Sequence, residues 1–295
     1  MPRPVSRPVF VIVPGASQTP SHYAHLIHLL QSHGHPTLSS MLPSTGTGAN
    51  VTVQDDADYI RSRMILPILE VEKHDVILIM HSYRHGPPIL SPFLLLLVSF
   101  TNIVHFLWFT EQLLTPHSGL PGSAAALGLG KEDRTKEGKS TSVLGQIFIS
   151  SMLAKGGEGK DVVATFGGQL PPHLIVNEAK GLIECEDPAS VLLNDVASQA
   201  ESDALVLSSL CPSLASFTSP CPRSSWDSPA FKGRLAFVRT LKDLTIPPVV
   251  QDMMIAGTSQ EFIVKDLDAG HNAQIVAPEK LLHIFIEMTK KFEEL

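Results

Sequence analysis

The chain has 295 residues, 43% of them hydrophobic and 17% charged, with a formal net charge of -7. That length fits one large α/β domain or two small ones, and the apolar fraction excludes a disordered chain. An acidic balance of 29 Asp and Glu against 22 Lys and Arg argues against nucleic acid as the main partner, since phosphate binding requires a basic face.

Val9–Val13 is a β-branched apolar run ended by Pro14-Gly15. It is too short for the core of a signal peptide and reads as a first buried strand. Ser21 is placed to cap a helix carrying Tyr23, Leu26, Ile27 and Leu30 at helical spacing, and Gly34 stops it. A second strand is predicted over Thr37–Met41, then the loop Pro43–Gly48. Val53–Glu70 reads as an amphipathic helix, with Asp55 and Asp56 meeting the positive end of its dipole. Val76–Met80 is an uninterrupted apolar run leading into His81-Ser82-Tyr83. Strands and helices alternating with short links predict a parallel, doubly wound sheet.

The pattern then breaks. Ile89–Phe109 is apolar over about the length of a bilayer span, but Ser91, Pro92, Ser99, Thr101, Asn102 and His105 interrupt it. A membrane partner is expected only if this segment inserts. Beyond it the sequence predicts a small-residue helix over Ser123–Leu129, a charged loop over Lys131–Lys139 and an apolar run over Ile147–Leu153. Leu174–Asn177 and Leu182–Glu184 flank Ala179-Lys180-Gly181 as a hairpin would, and Asp187–Leu210 reads as helical. Pro212–Pro229, rich in Ser and Pro, reads as loop. Leu235–Thr240 is a strand candidate, followed by Asp243 and a helix around Val249–Met254. Phe262–Leu267 is the last strand, Asp268-Ala269-Gly270-His271 follows it, and Pro278 opens a helix to Leu295.

Serine becomes a good nucleophile only when a base takes its proton and an acidic group orients that base. A doubly wound sheet offers places for all three at the carboxyl ends of its strands. Ser82 follows the Val76–Met80 strand, Asp243 follows Leu235–Thr240, and His271 follows Phe262–Leu267. Alone, each has an ordinary structural explanation, as a cap, a turn residue or a solvated histidine. Together, their chain order Ser, Asp, His is that of one class of serine hydrolase.

These segments carry a resemblance. VFVIVPGASQTPSHY, VILIMHSY, RTLKDLTIPPVVQDMM and DLDAGHNAQIVAPEKL are similar to the α/β-hydrolase superfamily, specifically to a fungal branch close to plant methyl esterases and hydroxynitrile lyases. The resemblance covers most of residues 8–294 and implies Ser82 as nucleophile, Asp243 as acid and His271 as base. Asp268 is the second candidate for the acid, in a loop where the family has a structural Asp. An oxyanion hole is expected from the backbone N–H of Tyr83 and from Ala16 or Ser17 after the first strand.

The usual elbow motif, G-x-S-x-G, places small residues two before and two after the serine. Here those places hold Met80 and Arg84. Removing about residues 84–117 would join HSY to SGLPGSAAALGLG, an almost ordinary elbow helix. We therefore read 84–117 as an insertion, such as a retained intron would leave.

Other clusters carry less. His22, His25 and His28 fall three apart, but no acidic third ligand is spaced nearby, so no metal is expected. Gly156-Gly157 and Gly167-Gly168 lack a phosphate-binding fingerprint. The three cysteines, Cys185, Cys211 and Cys221, do not make a disulfide scaffold and suggest a reducing, cytoplasmic setting. Cys185 reads as a buried small apolar residue.

The expectation is a single α/β-hydrolase domain with a mostly parallel sheet and a small cap over 161–227, where Phe166, Phe217 and Trp226 are candidates for setting substrate choice. It would hydrolyse a small ester, lactone or similar carbonyl compound without a cofactor. The alternatives are a triad-based lyase and a hydrolase-like protein whose elbow is disrupted by residues 84–117.

Overall fold

The structure is a computed structural model and describes residues 7–48, 50–82, 119–165, 170 and 173–295. Six strands form one parallel sheet: β1 (Val9–Val13), β2 (Thr37–Ser39), β3 (Val76–His81), β4 (Val143–Ile149), β7 (Leu235–Thr240) and β8 (Ile263–Leu267), in the order β2-β1-β3-β4-β7-β8. Between β4 and β7 lie the antiparallel strands β5 (Leu174–Asn177) and β6 (Leu182–Cys185), paired from Leu174↔Cys185 to Asn177↔Leu182. The hairpin expected there is present.

β1, β3 and β4 are buried along their whole length, because helices cover both faces of the sheet. Alternation decides which side chain meets which layer. Phe10, Ile12, Ile77 and Ile79 pack with Leu26, Leu30, Leu281, Phe285 and Phe292 from the helices Ala24–Ser32 and Pro278–Glu293. Val9, Val11, Val13, Leu78 and Met80 face the opposite layer with Ile60, Met64, Ile65 and Leu120. The register Val13↔Met80 and His81↔Ile149 brings the carboxyl ends of β1, β3 and β4 to one rim. β7 and β8 reach the same rim through Thr240↔Leu267.

Several elements differ from the sequence reading. The first helix is entered at Thr19 through the short turn Pro20–Tyr23, so Ser21 lies inside the turn rather than capping it. The second strand is shorter than Thr37–Met41. Over Val53–Glu70 the α-helix covers only Val53–Tyr59, capped by Thr52, and continues as wider turns over Ile60–Ile65 and Ile68–Glu72. Pro67, which has no N–H to donate, falls between those turns. The small-residue helix is Leu120–Ala125, earlier than expected.

Lys131–Lys139 is not a loop throughout. Lys131–Lys136 is helical, with Glu132 and Asp133 in its first turn and a Glu132–Lys136 pair at 2.7 Å. Asp187–Leu210 is broken into Pro188–Leu192 and Gln199–Ser208. At the break, Asn194 and Asp195 bond to other loops instead of sustaining the helix. The expected loop Pro212–Pro229 contains one helical turn, Ala215–Thr218. Cys185 is half-buried rather than buried.

Among the described residues no helix is long and apolar enough to cross a membrane. Ile89–Phe109 and the rest of 84–117 lie outside the described residues. Gly119, where the described chain resumes, lies against Phe148 and Ser151. Ser82, where it leaves off, donates its N–H to Ile149 O at 3.1 Å. Departure and return therefore flank the same end of β4.

Candidate active site

Three strand ends supply three side chains. Ser82 follows β3 with φ of 31°, a left-handed conformation that is strained for a serine. His271 Nε2 lies 2.7 Å from Ser82 Oγ. His271 Nδ1 lies 2.8 Å from Asp243 Oδ2. All three residues are buried.

Asp243 is held by more than His271. Its Oδ1 accepts from the backbone N–H of Thr245 and of Ile246, each at 2.8 Å, and Oδ2 also accepts from Thr240 Oγ1 at 3.0 Å. Gln251 braces the same turn by donating to Ile246 O at 2.7 Å and to Thr240 O at 3.0 Å. Burial pushes the Asp243 carboxyl up, but His271 and the converging donors outweigh it and hold the group below the usual carboxylate range. The other acid candidate is elsewhere: Asp268 is exposed and pairs with Lys242 Nζ at 2.9 Å.

The turn after β1 forms the facing wall. Ala16 and Ser17 are buried and line a narrow pocket with Ser82 and His271. The Ala16 carbonyl accepts from Thr45 Oγ1 at 2.9 Å and the Ser17 carbonyl from the Leu210 N–H at 3.0 Å, which fixes both peptide planes. At Gly15 an added Cβ would lie 3.0 Å from Gln18 Oε1 and 3.5 Å from Ser82 Cβ, so this turn passes close to the serine. Tyr83 lies outside the described residues. Across the pocket stand Pro188, Leu192, Leu193, Leu205 and Val206. Phe217 and Trp226 do not line it, because both are buried in the core cluster below the β4–β7 segment. Phe166 lies outside the described residues.

Met80 is accommodated despite its size. A Cβ on Gly122 would lie 2.6 Å from Met80 Cγ, so the helix Leu120–Ala125 makes room for it by presenting a glycine.

Sequence reasoning missed a buried polar network beside the serine. His81 Nε2 lies 2.9 Å from the His271 carbonyl, and Nδ1 lies 2.7 Å from the Tyr23 hydroxyl. A carbonyl can only accept, which puts the His81 proton on Nε2 and leaves Nδ1 unprotonated beside the Tyr23 hydroxyl, which donates to Gln18 Oε1. Burial, with His271 alongside, pushes His81 down to about 3, so it is neutral at ordinary pH. Burial also raises the Tyr23 phenol, which accepts from the Gly15 N–H at 3.2 Å. The only signal in the sequence is a histidine ending an otherwise apolar strand. His22, weighed above as a metal candidate, instead lines the pocket and reaches Leu205 O at 3.2 Å.

No family model matches the chain, and no curated protein matches its sequence. Solved structures do match. A pyrethroid hydrolase from Sphingobium faniae JZ-2 superposes with a TM-score of 0.62 at 16% identity, over 98% of this chain and 99% of that one. Polyneuridine aldehyde esterase gives 0.63 at 14% identity over 96% and 99%. A methylesterase from Arabidopsis gives 0.59 at 15% identity over 96% and 99%. The chain has the α/β-hydrolase fold.

Proposed function

We propose that the protein is a serine hydrolase of small ester-like substrates, with Ser82 as nucleophile, His271 as general base and Asp243 as the acid orienting it. The observation that carries this reading is the unbroken relay from Ser82 Oγ through both nitrogens of His271 to Asp243, at 2.7 and 2.8 Å, beside a pocket. His271 Nε2 takes the Ser82 proton as Oγ attacks the carbonyl carbon, and Asp243 stabilises the imidazolium. The Nε2 proton then goes to the leaving alkoxide. Water, deprotonated by His271, attacks the acyl carbon and releases the acid, and His271 returns that proton to Ser82 Oγ.

Backbone N–H groups of Ala16 or Ser17, with that of Tyr83, are proposed to receive the oxyanion. Residues 161–227 are proposed as the cap, with Leu192, Leu193, Leu205 and Val206 as its substrate-facing wall. The chemistry requires no cofactor or metal. Esters, as acted on by the esterases of this fold, are the substrate class to test.

A panel of methyl and short-chain esters checks the proposal. Ser82→Ala and His271→Ala are each expected to lower turnover by several orders of magnitude, and unchanged turnover removes them from the mechanism. Cyanohydrins run alongside separate hydrolysis from lyase chemistry by their products. Arg84 at the second glycine position of the elbow favours a second reading, a hydrolase-like protein disabled by residues 84–117. An inactive full chain whose deletion variant is active would establish that reading.

A further inference from the structure

Four hydrogen bonds tie residues 191–195 to the two loops that carry Asp243 and His271. Thr245 Oγ1 donates to Val191 O at 3.0 Å, and Asn272 Nδ2 donates to Leu192 O at 2.7 Å. Asn194 Nδ2 donates to Lys242 O at 3.3 Å, and the Gly270 N–H donates to Asp195 Oδ2. Every partner on the core side adjoins the acid or the base. Lys242 precedes Asp243 and Thr245 follows it by two residues, while Gly270 and Asn272 flank His271.

Two of these five residues, Leu192 and Leu193, also stand in the wall of the pocket. Asn272 is buried, and its Oδ1 accepts from Gln274 Nε2 at 3.0 Å and from Gln18 Nε2. It thus joins the wall, the base loop and the turn after β1 that carries Ala16 and Ser17. An anchor for the β4–β7 segment would need only one or two such bonds at any convenient place. Here they converge on the neighbours of the base that faces Ser82 Oγ and of the acid that orients that base.

We infer that residues 191–195 form a clasp through which a substrate pressing on Leu192 and Leu193 sets the alignment of His271 and Asp243, with Thr245 and Asn272 as its positioning residues. The inference rests on the proposed roles of Ser82, His271 and Asp243. A group misplaced by about 1 Å costs up to about 100-fold in rate, so loss of one buried tie is enough to be read kinetically.

The test compares Thr245→Val, which keeps the shape and loses the donor, with Thr245→Ser, which keeps the donor, and adds Asn272→Ala. A fluorophosphonate counts the competent serines in each preparation, and ester turnover is expressed per labelled site. Thr245→Val and Asn272→Ala are expected to lower kcat per labelled site about 10- to 100-fold with KM within about threefold, and Thr245→Ser to restore kcat to within about threefold of wild type. A purely structural role would lower Tm and the number of labelled sites but leave kcat per site at the wild-type value, and that result overturns the clasp. A raised KM at unchanged kcat per site overturns it too, because the wall would then bind without aligning. Should either variant fail to fold, Asn194→Ala at the exposed rim decides by the same ratio. Wild-type protein that does not label at all overturns the triad reading and the clasp with it, whereas normal labelling with indifferent variants sinks the clasp alone.

Discussion

Asp243→Asn removes one charge and no volume, and the site fixes what that does. Four donors converge on the carboxylate: two backbone N–H groups on Oδ1, and His271 Nδ1 with the Thr240 hydroxyl on Oδ2. An asparagine keeps only one acceptor oxygen. The two N–H groups hold it at the Oδ1 position, because no rotation satisfies them otherwise. The amide NH2 then faces His271 Nδ1 and can only donate, so the imidazole shifts its proton to Nε2. That nitrogen faces Ser82 Oγ and no longer has a lone pair to accept with. Such a tautomer reversal costs about 10⁴ in kcat in triads of this type, or about 5.5 kcal/mol of barrier. Thr240 can turn its hydroxyl to accept from the new NH2, so the fold is expected to persist. Ester turnover measured beside a thermal melt checks both halves. Turnover within tenfold of wild type, in a variant that melts normally, would refute the assignment of Asp243.

Three further outcomes are expected. His81 is held neutral in the fold, at about 3, while the unfolded chain protonates near 6.5. Stability should therefore fall as pH drops from 6.5 toward 3, by about 1.4 kcal/mol per pH unit for this one proton, and His81→Asn should flatten that limb of a urea-unfolding series by one proton; equal slopes would contradict it. Glu70, hydrogen-bonded by Arg134 and Lys139, is held down to about 2, so its contribution is present above pH 4.5 and lost as pH falls toward 2. Glu70→Gln should lower Tm at pH 7 and converge with wild type at the acid end, and a constant difference would refute the pairing. A chain lacking residues 84–117 should fold and hydrolyse esters at least as well as the full chain, because Ser82 and Gly119 flank the same end of β4. Loss of folding on deletion would show the segment to be part of the domain.

The sheet was legible because a parallel sheet covered on both faces writes its strands as continuous apolar runs, such as Val9–Val13 and Val76–Met80. The positions of Ser82, Asp243 and His271 could be read for the same reason, each following such a run. The pocket wall was less legible. Phe217 and Trp226 were candidates for it on size alone, yet aromatic bulk serves a core equally well, and both are buried there. Leu192 and Leu193 took that place because Asn194 and Asp195 break the helix beside them through bonds to residues 48 and 75 positions away. No local pattern encodes contacts that long. His81 and Tyr23 were hidden likewise, their pairing depending on how β3 and the first helix pack.

A fluorophosphonate adduct mapped by mass spectrometry reads the proposed nucleophile without knowledge of the natural substrate. The label should sit on the peptide containing Ser82 and vanish in Ser82→Ala and His271→Ala. A label on another serine, or ester turnover persisting with residue 82 unmodified, would contradict the account.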